Sequence, residues 1–395
     1  MTDIRVLNAN ELQEAARLAD LVFRDQEQKS MGEAFPYIFA AEAPESIGVF
    51  EEGRLAAFMG VVPGVITIGP ARLHIYSIGS VCTHPDARGQ GYASLLLNQA
   101  IAHINKAGAA LMLVSGDRSL YLRAGCLTFG EAKKYTVQQP SDALHILSSG
   151  TSPGTSCLIR PAEPRDYARM ASLYGQEEAR YDLSLYDLAR LVHAEPLASC
   201  YKLSHQTWIA QRDNGDDGED GNDGEAAAFA VIGVPETGQA SSRPKVIEAA
   251  GEPAAIKSIC LEVMSQNGLQ ELELPVSLHR TELIRELDRS GFPSEAAANE
   301  GTVKIMDPAR LWRQLLPYLT GRNPQAGRMS AAYAADGSAV QLQLDGKPAA
   351  ELSAGQFARL VFGQAPDLRL PEEAAALLTE CFPIPFPYTG GLYYI

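Results

Sequence analysis

The sequence predicts a mixed α/β (α+β) protein in which one α+β domain occurs twice and a smaller α/β domain follows. Three observations favour this class. Strand and helix patterns alternate over residues 1–140, fragments of that stretch return over 157–300, and further strands and helices cover 302–395. At roughly 150 residues per domain, a chain of 395 residues is long enough for two or three domains.

The first stretch, 1–140, begins with an amphipathic helix. Asn10 is a suitable N-cap, and Gln13 stands at the spacing of a capping box. The patterns that follow predict two strand hairpins over 46–83, a helix over 90–106 and a buried strand over 109–115. A short helix over 117–124 and a final strand over 129–137 complete the expected domain.

The second stretch, 157–300, follows a linker rich in Ser, Gly and Pro over 138–156. Ile159-Arg160 matches Ile4-Arg5, and 289–292 (Arg-Ser-Gly-Phe) parallels 123–126 (Arg-Ala-Gly-Cys). Two matches in the same order indicate a duplicated domain, although matches this short also arise by chance.

The third stretch, 302–395, contains strand, helix and turn patterns. It ends in an apolar, aromatic and Pro-rich tail, whereas chain ends are usually polar and frayed. The composition of the tail therefore predicts that it docks against the protein.

Charge and composition exclude several classes of function. The chain has 33 Lys+Arg against 48 Asp+Glu, a formal net charge of −15, which argues against binding to nucleic acid or to an anionic membrane. No apolar run approaches the roughly 20 residues that span a bilayer, and no signal peptide is recognisable. The six cysteines are dispersed, without a metal-binding spacing, which predicts a reducing, cytoplasmic location and no metal site.

Seven of the acidic residues lie in a single segment, 213–225, which contains no basic residue. The segment lacks the spacing of a calcium loop, so a flexible loop is the preferred interpretation. The acidity outside it is modest, and it does not oppose the binding of an anionic cofactor elsewhere.

The residues that indicate chemistry lie in 81–94, Val-Cys-Thr-His-Pro-Asp-Ala-Arg-Gly-Gln-Gly-Tyr-Ala-Ser. A strand ends there, a Gly-rich turn follows and a helix begins. Free N–H groups at the helix start, together with Arg88, would form a cradle for phosphate. The Walker A closing Gly-Lys-Ser/Thr is absent, and Ser94 stands where a Rossmann loop needs Gly or Ala.

The pattern Arg88-x-x-Gly91-x-Ala93 resembles the coenzyme A loop of the GNAT N-acetyltransferases. The alternative interpretation is an ordinary Gly-rich turn. The resemblance implies acetyl-CoA (coenzyme A) as cofactor and a set of cofactor-binding residues in and before the loop: Val81, Thr83, Arg88, Gly89, Gln90, Gly91, Tyr92 and Ala93.

The same resemblance implies a mechanism. A backbone N–H near Val81 would polarise the acetyl carbonyl, and Tyr121 would act as general acid for the departing thiolate. A half-buried structural ring is the alternative role for Tyr121. The general base stays open among His74, His84, a water relay and an amine that arrives neutral. Because Cys82 lies on a predicted buried strand, its preferred role is that of a small hydrophobic residue. A covalent acyl intermediate on its thiol is the less favoured alternative.

Only the first copy carries these features. The second has Leu287 where the first has Tyr121, and its corresponding loop is Gly251-Glu252-Pro253. The layout therefore predicts a catalytic domain at 1–140, a degenerate GNAT-like domain at 157–300 and a smaller domain at 302–395.

This whole-chain layout is similar to the Eis-like (enhanced intracellular survival) acetyltransferases, whose last domain resembles a sterol carrier protein. The similarity implies acetylation of amines such as aminoglycosides, polyamines or lysine side chains, and a homo-oligomer. It also implies a C-terminal carboxylate in the active site, so Ile395 is predicted to lie near Tyr121, although this chain ends in Ile where a member of that family ends in Phe.

Acceptor-binding residues are expected in the stretch after the first helix, which walls the acceptor pocket of GNAT enzymes. The candidates are Asp25, Glu27, Glu33, Phe35 and Tyr37, as carboxylates and rings for a cationic amine. A solvated loop is the alternative for each. Two other functions stay open: a non-catalytic protein that binds acyl-CoA or an apolar ligand, and transfer of a longer acyl chain.

Overall fold

The computed structural model describes residues 2–25, 28–41, 44–139, 157–212, 224–235, 242–335, 337, 339–363 and 368–395. Glu27, most of the expected linker and most of the acidic segment at 213–225 lie outside this set. Two seven-stranded mixed sheets and one three-stranded sheet make up the described strands, with helices packed on them. This arrangement confirms the mixed α/β class.

The first sheet contains the long antiparallel pair that carries the Gly-rich loop. Its strand order is β1-β2-β3-β4-β5-β14, and β8 also pairs with β3. The elements up to its fifth strand are β1 Thr2–Val6, α1 Ala9–Phe23, α2 Met31–Ala34, α3 Pro36–Phe39, β2 Ile47–Glu51, β3 Arg54–Ile68, β4 Ala71–Thr83, α4 Tyr92–Lys106, β5 Leu111–Val114 and α5 Ser119–Arg123.

The second sheet has the strand order β13-β6-β12-β11-β10-β9-β7. Its elements, together with β8 and the helices between them, are β6 Ala132–Gln138, β7 Cys157–Pro161, α6 Tyr167–Gly175, β8 Ala179–Tyr181, α7 Leu185–Ala194, α8 Pro196–Cys200, β9 Leu203–Arg212, β10 Ala226–Pro235, β11 Lys245–Gly251, α9 Pro253–Gln266, β12 Glu271–Ser277, α10 Thr281–Arg289 and β13 Ser294–Ala297.

The last part of the chain supplies one strand to the first sheet and builds the small sheet β15-β16-β17. Its elements are β14 Thr302–Ile305, α11 Pro308–Arg322, β15 Met329–Tyr333, β16 Val340–Leu344, β17 Lys347–Leu352, α12 Ala354–Phe362 and α13 Glu372–Cys381. The tail after α13 is largely buried; Leu392 and Ile395 are 0% and 6% exposed.

The two large sheets share one strand plan. In each sheet, four strands form three antiparallel pairs, the fourth strand pairs in parallel with a fifth, and a sixth strand pairs antiparallel with the fifth. The order is β1-β2-β3-β4-β5-β14 in the first sheet and β7-β9-β10-β11-β12-β6 in the second. The closing strands are exchanged, because β6 pairs with β12 and β14 pairs with β5. The strand expected to complete the first domain therefore lies in the second sheet.

The first helix begins earlier than its sequence pattern suggests. Asn8, not Asn10, is the N-cap, and its side chain and that of Glu11 form a reciprocal capping box. Arg5 donates two hydrogen bonds of 2.7 Å to the Glu11 carboxylate, which links β1 to the helix start. Asn10 and Gln13 have the right residue types, but the chain already turns into the helix at Asn8.

Candidate active site

A β-bulge distorts β4 where the expected catalytic strand approaches the Gly-rich loop. Phe58 pairs with Cys82 and Gly60 with Gly79, so Ser80 and Val81 together oppose one residue of β3. Ser80 has φ 50°, an unusual value for a residue other than Gly. A bulge leaves one residue without a ladder partner and bends the strand, so backbone polar groups can face a ligand here.

The parallel neighbour of β4 ends beside this bulge. β4 and β5 pair from Ile75–Leu111 to Ile78–Val114, and β4 continues for five more residues. A cavity of about 810 Å³ opens beyond the end of β5. Its lining includes Val81, Thr83, Arg88, Ala93, Tyr121, Phe35 and Ile395, residues that the sequence singled out and that are far apart in the chain.

The Gly-rich loop connects this cavity to α4. Gly89 and Gly91 have backbone φ angles of 82° and 78°, which residues other than glycine rarely adopt. A Cβ at either position would meet no atom within 4 Å. Gly91 is the N-cap of α4 and supplies no side-chain cap. The first N–H groups of α4 therefore remain available to an anion, as a phosphate cradle requires.

The residues of the loop divide between the cavity and the surrounding protein. Arg88 and Ala93 line the cavity, whereas Gly89, Gln90 and Gly91 are exposed beside it. The ring of Tyr92 is buried on another side, and its hydroxyl donates a hydrogen bond to Glu51. Tyr92 therefore contributes its backbone, not its ring, to the start of α4.

Arg118 is a cavity residue that the sequence analysis missed. It is the N-cap residue of α5, one turn before Tyr121, and it lines the same cavity as Arg88. Neither guanidinium has a hydrogen-bond or ion-pair partner among the described residues. The one sequence feature that could have indicated Arg118 is its position directly before the helix that contains Tyr121, the candidate general acid.

Tyr121 is buried in the wall of the cavity. The residue is 6% exposed, and its ring packs against Gly116, where a Cβ would lie 3.4 Å from Cε2. Burial raises the pKa of the phenol, and the nearby Arg118 guanidinium opposes that effect. The phenol therefore stays protonated at neutral pH and can donate its proton.

The C-terminal residue lies over β4 at the edge of the bulge. A Cβ on Gly79 would come within 2.4 Å of the carboxyl carbon of Ile395, so only Gly allows this approach. The hydroxyl of Tyr394 donates to the Ser115 carbonyl (3.3 Å), and that of Tyr393 donates to the Pro63 carbonyl (3.3 Å). These contacts place the terminal carboxylate in the wall of the cavity that also contains Tyr121.

Most of the residues expected to bind the acceptor lie outside the cavity. Phe35 lines it, but the Asp25 carboxylate pairs with Lys202 at 2.6 Å, and Glu33 is exposed. Tyr37 donates a hydrogen bond to Asp187 (2.8 Å) and packs against Tyr393 of the tail. Short polar stretches give no indication of which side chains turn inward, so the sequence could not separate these residues.

The histidine candidates for the general base also lie elsewhere. His84 accepts the Asp86 N–H (3.3 Å) through Nδ1, and neither His74 nor His84 lines the cavity. Cys82 does line it, but burial raises the pKa of its thiol to about 12, which disfavours a thiolate nucleophile. Among the described lining residues, the Ile395 carboxylate is the one anionic group.

Two other features of the described residues bear on function. They contain no cluster of three or more His, Cys, Asp or Glu that could hold a metal ion. None of their helices combines the length and apolar character needed to cross a membrane.

Part of the chain is similar to a known protein family. Residues 3–128 match the family model described as "Acetyltransferase (GNAT) domain". No curated protein matches the chain.

Solved structures share the fold at low sequence identity. A GCN5-related N-acetyltransferase from Anabaena variabilis is 12% identical with a TM-score of 0.63, and one from Kribbella flavida is 15% identical with a TM-score of 0.60. Each match covers 98% of this chain and 99% of the other. A probable N-acyltransferase from Enterococcus faecalis is 13% identical with a TM-score of 0.59, over 80% of this chain and 75% of that one.

The family match begins in β1 and ends just after α5, so it contains the bulge, the Gly-rich loop and Tyr121. Residues 3–128 thus form a GNAT acetyltransferase domain, and the protein is an acyltransferase.

Proposed function

We propose that the protein is an N-acetyltransferase that moves an acetyl group from acetyl-CoA to a primary amine of an aminoglycoside-like, polyamine or lysine-type acceptor. The observation that carries this proposal is the single cavity in which the Arg88 loop, Val81, Tyr121 and the Ile395 carboxylate meet. Bound acetyl-CoA would supply the reactive thioester there.

The residues fit the anionic part of coenzyme A. The open N-terminus of α4 and the guanidiniums of Arg88 and Arg118, for which the described residues supply no partner, match a pyrophosphate in charge and in hydrogen-bond donors. Thr83 and Val81 line the same cavity. The described lining therefore offers contacts for phosphate as well as a proton donor and a proton acceptor.

Each reacting position has a residue suited to it. The backbone at the Ser80–Val81 bulge offers an N–H to a carbonyl oxygen, which becomes more negative as the amine attacks. The Ile395 carboxylate accepts a proton from the ammonium group. The new C–N bond replaces the C–S bond, and the Tyr121 hydroxyl protonates the departing thiolate. The proton on the carboxylate leaves to solvent, and the phenolate regains one from it.

We also propose the Eis-like organisation for the whole chain: a catalytic domain at 1–140, a degenerate copy at 157–300 and a sterol-carrier-like domain at 302–395. The shared strand plan of the two large sheets and the tail that returns to the first sheet support it. A cytoplasmic homo-oligomer that binds neither nucleic acid nor membrane completes the proposal.

Release of free thiol from acetyl-CoA, measured across a panel of aminoglycosides, polyamines and lysine peptides, tests the function. We expect thiol release that depends on the amine, and a product heavier by one acetyl group in mass spectrometry. Tight binding of acetyl-CoA with no release across the panel would instead identify a non-catalytic acyl-CoA-binding protein. Comparison of acetyl-CoA with longer acyl-CoA donors distinguishes acetyl transfer from transfer of a longer chain.

A further inference from the structure

The acceptor side of the cavity has an unusual charge pattern for an enzyme that acts on polycations. Its wall is built from the end of α1, from α2 and α8, and from the C-terminal tail. The side chains that line this wall are mostly apolar: Val22, Phe23, Met31, Phe35 and Tyr394.

Arg24 is the charged side chain described on this wall. Its Nη1 and Nη2 donate to the carbonyl (3.1 Å) and the hydroxyl (2.9 Å) of Ser199, which fixes the guanidinium at the junction of α1 and α8. Its Nε is buried and has no partner among the described residues. Gln28, which also lines the wall, donates to the same carbonyl and carries no charge.

Two of the acids expected to attract a cationic acceptor, Asp25 and Glu33, are not among the described residues that line the cavity. Asp25 is paired with Lys202, Glu33 is exposed, and Glu27 lies outside the described residues. This leaves one carboxylate, that of Ile395, in the described lining of the cavity. One carboxylate can neutralise one ammonium group, and a second ammonium group would face the fixed Arg24 cation in a partly desolvated space.

We propose that the acceptor is an amphiphilic monoamine, with one primary amine on an apolar body, and that Arg24 acts as a filter against polyamines and other polycations. The inference rests on the acetyl transfer in the proposed function. Among the acceptors named there, it favours those with a single amine, as a lysine side chain has, over polyamines and aminoglycosides. The apolar wall would bind the body of the acceptor, and the repulsion at Arg24 would supply discrimination that attraction alone does not give.

A matched pair of acceptors tests this most simply: hexylamine and 1,6-diaminohexane, which differ by one amine. With saturating acetyl-CoA, we expect kcat/KM for hexylamine to exceed that for the diamine at least tenfold, mainly through KM. In Arg24→Gln the ratio should fall to within about threefold. Arg17→Gln removes an exposed charge from α1, the helix that ends just before Arg24, at a position outside the cavity, and should leave the ratio as in the wild type.

Equal or better use of the diamine by the wild-type enzyme would overturn the inference and leave the acetyltransferase function intact. An unchanged ratio in a folded Arg24→Gln variant would remove Arg24 from the filter. Failure of the proposed function would be recognised separately, because no amine would then release thiol although calorimetry still detected acetyl-CoA binding. The wild-type ratio stands as a test even if the variant does not fold.

Discussion

The two large sheets follow the same strand plan, yet they differ at the point where the fold offers a ligand site. In the first, a Cβ on Gly91 before α4 would face open space, and the helix start is uncapped. In the second, Gly251 is packed against the Ala227 carbonyl, and Glu252 and Pro253 begin α9. The Glu252 carboxylate, which pairs with Arg212, stands at this helix start, and Pro253 removes an N–H donor. The described residues there are therefore less suited to bind phosphate than those before α4.

The difference extends to the reacting residue and to the tail. Leu287 in α10 is fully buried and cannot donate a proton, whereas Tyr121 in α5 borders an open cavity. The second copy also has a bulge, around Ile247, and Gly391 of the tail lies against Ile247 and Glu248. The tail then continues to Gly79 at the bulge of the first copy. The first sheet thus carries the residues of the proposed site, while the second contacts the tail segment that the proposal assigns to that site.

Tyr121→Phe removes the proton donor from the first region, as Leu287 does in the second. Of the changes described here, it should have the largest effect on kcat. We expect kcat to fall by roughly 10²- to 10⁴-fold, because the variant cannot protonate the thiolate. The Kd for acetyl-CoA, measured by calorimetry, should change little. A variant with unchanged kcat would show that Tyr121 plays no part in the reaction.

Glu248 contacts the tail, and its buried carboxyl predicts a pH dependence of stability. Burial raises the pKa of this carboxyl to about 7, against 4.5 normally, while Arg280 and the Leu392 backbone N–H oppose the rise and Glu177 adds to it. The folded state thus binds the proton more tightly than the unfolded chain does, and stability falls as pH increases from about 4.5 to 7. The penalty reaches about 3 kcal/mol above pH 7.

In Glu248→Gln that dependence should disappear. Urea unfolding of the wild type and the variant between pH 5 and 8 gives the difference in slope, in which the contributions of other groups such as His279 cancel. Parallel pH profiles for the two proteins would show that the Glu248 carboxyl does not have a raised pKa in the folded state.

Substitution of Gly79 by Ala tests the position of the C-terminal carboxylate. The new Cβ would overlap the carboxyl group of Ile395, so the tail must shift, and we expect kcat to fall by about 10- to 100-fold as the proton acceptor moves. Gly175→Ala, where no atom lies within 4 Å, is the matched control in the second copy. Wild-type kcat in a folded Gly79→Ala variant would exclude a catalytic role for the terminus.

Removal of the Arg118 side chain should have the smallest effect. The loss of one charge-assisted contact to phosphate predicts a KM for acetyl-CoA about tenfold higher, with kcat almost unchanged. Arg123→Ala, an exposed change in the same helix, should leave KM unaltered. A rise in KM of equal size in both variants would point to a general charge effect instead of a specific contact.

The sequence identified the parts of this molecule that depend on local residue patterns. The loop from Arg88 to Ala93, the position of Tyr121 and the docked aromatic tail are visible in short stretches, because glycine conformation, helix spacing and apolar composition are local properties. The exchange of β6 and β14 was not predictable, since a strand pattern does not specify its partner. Arg24 and Arg118 were missed for a similar reason: their role depends on which side chains the fold turns towards the cavity.

The proposed function requires one acyl-CoA site per chain, located at the first sheet. Calorimetric titration with coenzyme A measures the number of sites. We expect one bound equivalent per chain, with Kd increased at least thirtyfold when Arg88 and Arg118 are both changed to Ala. Two equivalents per chain, or one equivalent with unchanged Kd in the double variant, would contradict that requirement.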